Sequence, residues 1–116
     1  MTVAQEHFEA IGFSVDPSVA RTESYDLRCK RDTEEKHVEV KGSTTAGAQV
    51  ILTRREVAHA KNYPDVALAI VAGIRLEFER EALVGIGGEL RVLDPWVLRD
   101  EALSATQYLY LVPGEL

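Results

Sequence analysis

Three ionisable side chains on two neighbouring strand-like runs, Asp26, Glu39 and Lys41, are the residues whose types and spacing could do chemistry. Tyr25–Arg31 and Lys36–Gly42 alternate polar and apolar residues and are joined by the polar link Asp32-Thr33-Glu34-Glu35, the pattern of a β-hairpin. Placing Arg31 opposite Lys36 sets Lys30 against His37, Arg28 against Glu39 and Asp26 against Lys41. Side chains alternate between the faces of a strand, so Asp26, Arg28, Lys30, His37, Glu39 and Lys41 share one face. Leu27, Cys29, Val38 and Val40 share the other, a partition that supports this register or a two-residue shift of it. Asp26 and Glu39 are then diagonal neighbours, roughly 7–8 Å apart at the backbone. Two ionised carboxylates at that range repel one another unless a cation lies between them. Mg²⁺ or Mn²⁺, hard ions that take oxygen ligands, fit the pair. Lys41, two residues beyond Glu39 on the same face, could orient an attacking water, hold a scissile phosphate or stabilise developing charge. The chemistry expected is phosphodiester hydrolysis. The competing reading is a merely solvated face of an antiparallel sheet.

The same residues resemble a known signature. Tyr25-Asp26, followed after twelve residues by Glu39-Val40-Lys41, resembles the PD-(D/E)xK nuclease motif, with Tyr25 where that motif often has Pro. The wider string is Ser24-Tyr25-Asp26-Leu27, His37-Val38-Glu39-Val40-Lys41-Gly42, and Ile51-Leu52-Thr53-x-x-Glu56-x-x-x-Ala60. It is similar to the NO VEIN C-terminal-like domain, a domain of uncharacterised function assigned to that superfamily. The resemblance covers about residues 2–73 and is loose beyond them. It implies a restriction-endonuclease-like fold, with Asp26, Glu39 and the Val40 carbonyl holding the metal and Lys41 assisting catalysis. It also implies a further acid on the first helix. Glu6 and Glu9 are the candidates, with Glu6 nearer the apolar stripe; Gln49 is a second accessory candidate.

Around these residues the chain reads as an α/β sandwich about a mixed sheet of about five strands flanked by helices. Val3, Ala4, Phe8 and Ile11 form a helical stripe over Thr2–Ile11, ended by Gly12. Phe13–Val15 is a short strand and Gln49–Leu52 another. Thr53-x-x-Glu56 has the form of a capping box opening a helix over Arg54–Lys61. Val66–Ala72 is continuously apolar, as in a strand buried on both faces. Asp94-Pro95-Trp96 reads as a helix start, and Gln107–Val112 as a closing strand.

Other signals are weaker. Gly42–Gly47 begins like a phosphate-binding loop, but Ala48 and Gln49 stand where Lys and Ser or Thr are required, so that reading is rejected. Gly85-x-Gly87-Gly88 is a turn. His7 is expected to pack against the core and His37 to lie at the surface near the hairpin tip, while His59 has no histidine partner at ligand spacing. Trp96, Tyr108 and Tyr110 are expected in core or interface packing rather than base stacking. Arg54 and Arg55 open a helix and are candidates for contact with nucleic-acid phosphate, the alternative being a solvated first turn.

With 116 residues, 46% hydrophobic and 28% charged, residues 1–116 are expected to form one domain with its own core. No apolar run reaches the roughly 18–20 residues of a membrane span, and the opening MTVAQEHFEAIGF lacks the form of a secretory leader. Cys29 is the single cysteine, which excludes an internal disulfide and a cysteine-built zinc site and points to the cytoplasm. The net charge of −6 argues against a generic nucleic-acid coat. Residues 21–61 nevertheless hold nine of the thirteen Lys and Arg against seven of the nineteen acids. The expectation is a Mg²⁺- or Mn²⁺-dependent nuclease module acting on DNA within a larger restriction, defence or repair system, with specificity from a partner chain or fused domain and a homodimer as one assembly. The alternatives are a catalytically inactive module on the same fold that binds nucleic acid or protein, and a hydrolase of small phosphorylated molecules.

Overall fold

Residue patterning accounts for the central elements of the chain, whose computed structural model describes residues 2–114. Helix α1 spans Thr2–Ala10 and buries Ala4 and Phe8 completely. Gly12, at φ 101°, takes the left-handed turn that ends it and lets the Phe13 N–H reach the Phe8 carbonyl at 3.0 Å. Strand β1 (Ser14–Asp16) and a 3₁₀ turn (Ser18–Arg21) lead into β2 (Leu27–Arg31) and β3 (Glu34–Gly42). Helix α2 (Arg54–Asn62) carries the chain over to β4 (Val66–Ala72). A β5–β6 hairpin (Arg75–Glu79, Ala82–Ile86) precedes β7 (Glu89–Leu93).

The main sheet has the order β1-β2-β3-β4-β7, with β3 and β4 parallel and the other pairs antiparallel. It is the mixed five-stranded α/β arrangement expected. All seven residues of β4 are buried, because its two faces meet two different layers. On one face Ala4, Phe8 and Phe13 pack on Leu27, Cys29, Val38, Ala67 and Ala69. On the other, Leu68, Ile70 and Ala72 pack with Val50 and Trp96. Glu39 is level with Leu68 and Lys41 with Ile70, so these two polar side chains of β3 rise on this second face. The Lys41–Glu56 contact of 3.0 Å places α2 there too. Thus α1 and α2 lie on opposite sides of the sheet.

The hairpin differs from the first register considered. Its connection is a two-residue turn, Asp32-Thr33, with Asp32 at φ 52°, and Arg31 pairs with Glu34 rather than Lys36. Two-residue turns match the twist of paired strands, and Asp tolerates positive φ better than most residues. The slip is two residues, so the division of faces survives it.

Three expected elements are not formed. Residues 49–52 are coil, with Val50 packed on Leu68, Ile70 and Ala72 across the face of β4 rather than paired in the sheet. Residues 94–99 form no helix; the Trp96 N–H instead bonds to the Val66 carbonyl at 2.8 Å, tying the chain to the start of β4. Residues 107–112 run as exposed coil with no strand partner among the described residues. No helix among the described residues is long and apolar enough to cross a membrane.

Lys36 is the unforeseen structural residue. It lies opposite Cys29, only 7% exposed, and its Nζ is 2.7 Å from both Asp65 Oδ1 and Asp94 Oδ1. One ammonium therefore joins β3 to the segments before β4 and after β7. Lys36→Met would leave two half-buried carboxylates without their cation, and a loss of about 2–3 kcal/mol in urea unfolding is expected. A loss below about 0.5 kcal/mol would show the triad to be solvent-screened.

Candidate functional site

Asp26, Glu39 and Lys41 do converge, and each is held by local structure. Asp26 follows the bend after the 3₁₀ turn. Its N–H bonds to the Val38 carbonyl at 2.9 Å, and its Oδ2 accepts the Val40 N–H at 2.8 Å. It thereby brackets Glu39 from both sides. A strand residue sends its N–H and C=O to the same edge, so the Val40 carbonyl also faces Asp26, beyond the first residue of β2.

Glu39 is 5% exposed and within hydrogen-bonding reach of two other carboxyls, those of Glu56 and Asp26. Burial first, and then the two neighbouring acids, push its carboxyl up to about 10. Lys41 Nζ lies 3.0 and 3.2 Å from the two carboxylate oxygens of Glu56 and 3.6 Å from Glu39 Oε1.

Glu56 is the site residue for which the sequence pattern showed only the capping role. It does complete the capping box: its N–H donates to Thr53 Oγ1 at 3.2 Å, and its Oε1 accepts the Thr53 N–H at 2.7 Å. The same carboxylate faces Lys41 and Glu39. Burial opposes its ionisation, but hydrogen bonds from Glu39, the Thr53 N–H and Lys41 outweigh it and hold the group down at about 2. Glu39 therefore keeps a proton while Glu56 stays ionised beside it.

A second pair from the same two elements sits behind the acids. His37 Nδ1 and His59 Nε2 are 2.8 Å apart, and His37 Nε2 is 2.7 Å from Glu35 Oε2. Because the ionised Glu35 can only accept, His37 donates from Nε2 and receives the His59 N–H at Nδ1. The rings stack between Tyr25 and Tyr63, with centroids 3.8 Å (Tyr25–His37) and 3.7 Å (His37–Tyr63) apart. Burial, more than the neighbouring charges, lowers both imidazoles. The expected surface position of His37 is corrected: it is buried, since α2 covers that face, and His59 does have a histidine partner. The signal was present as matched spacing. His37 and Glu39 are two apart on a strand, Glu56 and His59 three apart on a helix, and each pair presents one side of its element to the other.

The remaining candidates separate. Glu6 and Glu9 are exposed on α1, across the sheet from Glu39, so neither joins the site. Gln49 is exposed in the coil before α2. Arg54 and Arg55 are exposed in the first turn of α2. Arg55 lines an open cleft of about 260 Å³ together with Glu23, Ser24, Asp26, Thr53 and Glu56. On the inner side, Glu39, His37, His59 and Trp96 border a void of about 10 Å³, room for a single water.

Among the described residues no three His, Cys, Asp or Glu side chains stand as a ready-made metal ligand set. The acids are held by one another, by Lys41 and by backbone N–H groups. The donor chemistry still suits a hard cation: the Glu39 carboxyl lies against those of Asp26 and Glu56, one ammonium serves Glu39 and Glu56, and the buried carboxyl is kept neutral by a proton that a divalent ion would replace.

The sign of the pH dependence follows. Glu39 has a folded value far above its ordinary 4.5, so the unfolded chain releases this proton first, and the folded state loses stability as pH rises from about 4.5 towards about 10. Glu39→Gln, which keeps the neutral shape, should stabilise the metal-free protein by about 1–3 kcal/mol near neutral pH and flatten its decline on the alkaline side. Urea unfolding at mildly acidic and mildly alkaline pH measures this; equal slopes for the two proteins would contradict it.

A search of curated proteins and a search of solved structures each return no match. Residues 1–80, which include every member of the acid and histidine clusters, match the family model described as protein NO VEIN, C-terminal. The chain belongs to the NO VEIN C-terminal family.

Proposed function

We propose that this domain is a divalent-metal-dependent phosphodiesterase of the PD-(D/E)xK, restriction-endonuclease-like kind, acting on DNA as one module of a larger restriction, defence or repair system. The observation that carries the proposal is the buried Glu39 carboxyl wedged against Asp26 and Glu56, with Lys41 at its edge. A buried carboxyl whose ionisation is opposed by burial and by two neighbouring acids supports the reading that a cation would complete this place.

Asp26, Glu39 and the Val40 carbonyl would hold Mg²⁺ or Mn²⁺, with Glu56 as an added carboxylate. The ion, when bound, supplies Lewis-acid polarisation of the phosphodiester. Lys41 is shared between Glu56 and Glu39 in the structure. With those acids holding a metal, the Lys41 ammonium would be free to face the phosphoryl oxygens and the charge that develops on them. Arg55, at the cleft mouth, and Arg54 beside it would meet flanking phosphates of the strand. The excess of basic residues over residues 21–61 suits a polyanion at this end of an otherwise acidic protein.

A second reading, a catalytically silent binding module, is favoured by one observation: Lys41 is engaged by both oxygens of Glu56, leaving the site closed on itself. Cleavage assays separate the two. With Mn²⁺ and single-stranded DNA, duplex DNA and RNA as substrates, the protein should cut at least one, and Glu39→Ala and Lys41→Ala should each lower the rate by about 100-fold or more. Mn²⁺ binding with no cleavage of any of the three supports the silent module instead.

A further inference from the structure

Two apolar surfaces of this chain have nothing covering them among the described residues. The first is one face of the β5–β6 hairpin. Phe78 pairs with Leu83 and Leu76 with Gly85, so these side chains share a face, on which Phe78 is 82% exposed and Leu76 and Leu83 each 56%. A two-stranded sheet is marginal without a layer against it. Here Ile74 covers only the base, against Gly85.

The second is the arm Leu103–Val112, ten residues without a charge. Tyr108 to Val112 are 77–91% exposed, and no backbone hydrogen bond ties residues 104–112 to another described residue. Tyr108, Tyr110 and Val112 alternate with Leu109 and Leu111, so an extended arm is apolar on both sides, the pattern of a strand enclosed between layers. The shape of the molecule agrees. Its radius of gyration is 16.7 Å, against about 13–14 Å for a compact chain of this length. Both surfaces lie outside the acid site and are independent of its chemistry.

We infer that the partner of each surface is a second copy of this chain, the arm of one copy docking on the β5–β6 hairpin of the other, reciprocally. Arm and hairpin are complementary in kind: an unpaired five-residue apolar stretch faces a hairpin of five-residue strands that offers free edges and an uncovered apolar face. The area suffices. Two tyrosines and three aliphatic side chains at this exposure present on the order of 500 Å² per arm. Counting both arms and the hairpins they cover gives roughly 1,500–2,000 Å², the size of a specific dimer interface. The uncharged arm also gives an acidic chain a contact free of like-charge repulsion.

Light scattering coupled to size exclusion tests this on the whole chain. The unaltered protein should be a dimer at micromolar concentration. Phe78→Asp should be monomeric, as should a variant carrying both Tyr110→Asp and Leu111→Asp, each still folded by circular dichroism and melting cooperatively, because the altered residues are exposed in the single chain. Mixing the two variants at high micromolar concentration should give heterodimers, weaker than the unaltered dimer because only one of the two contacts, the intact arm of the first on the intact hairpin of the second, can form. A monomeric unaltered chain, whether its arm is free or folded on its own hairpin, overturns the proposal. So do dimers that survive either substitution, larger open assemblies, and a mixture that stays monomeric.

Discussion

A carboxyl group that is almost completely enclosed, with two more carboxyls in contact, can persist only if something positive shares the space. In this fold the group is Glu39, and the neighbours are Asp26 from the approach to β2 and Glu56 from α2. Without a cation, a proton on Glu39 and the ammonium of Lys41 fill that role, and both are imperfect. The proton leaves a net negative cluster, and Lys41 reaches Glu56 better than Glu39. A folding optimum would replace such a residue with an apolar one, because a buried ion-rich cluster is weak support for stability. On the proposed reading, the cluster would gain its full complement of charge on binding a divalent ion.

The rest of the architecture serves that cluster. The parallel pairing of β3 with β4 forces a crossover, and the crossover helix α2 lies over the polar face of β3. The capping box at Thr53 and Glu56 sets where α2 begins and, with the same carboxylate, what it presents to Lys41. One turn later His59 meets His37, two residues before Glu39, and the stacked tyrosines fix the rings. Helix and strand are thus pinned at two successive points. Lys36 holds the far side of β3 in place through Asp65 and Asp94.

Much of this was legible because it is local. The apolar run Val66–Ala72, the division of the hairpin into two faces, and the Thr53–Glu56 cap depend on neighbours in sequence, and the observed elements match. The hairpin register depended on whether Asp32 adopts positive φ, a choice the alternation pattern leaves open. Lys36 was illegible because its partners lie 29 and 58 residues away. Glu6 was placed near the site only by analogy; which face α1 covers is a tertiary matter, and Ala4 and Phe8 turn it to the apolar one. Gln107–Val112 has the composition of a strand, but composition does not supply an edge to pair with. Glu56 was read through its capping role, which is real, and the second role appears only once α2 is laid on β3.

The most direct test of the buried proton is a ¹³C carboxyl titration of Glu39 in the metal-free protein, followed by nuclear magnetic resonance and assigned with Glu39→Gln. A midpoint near 10, with the carboxyl still protonated at neutral pH, is the expected result. A midpoint in the ordinary glutamate range near 4.5 would mean that Asp26, Glu56 and Glu39 do not crowd one another, and the case for a cation among them would fall.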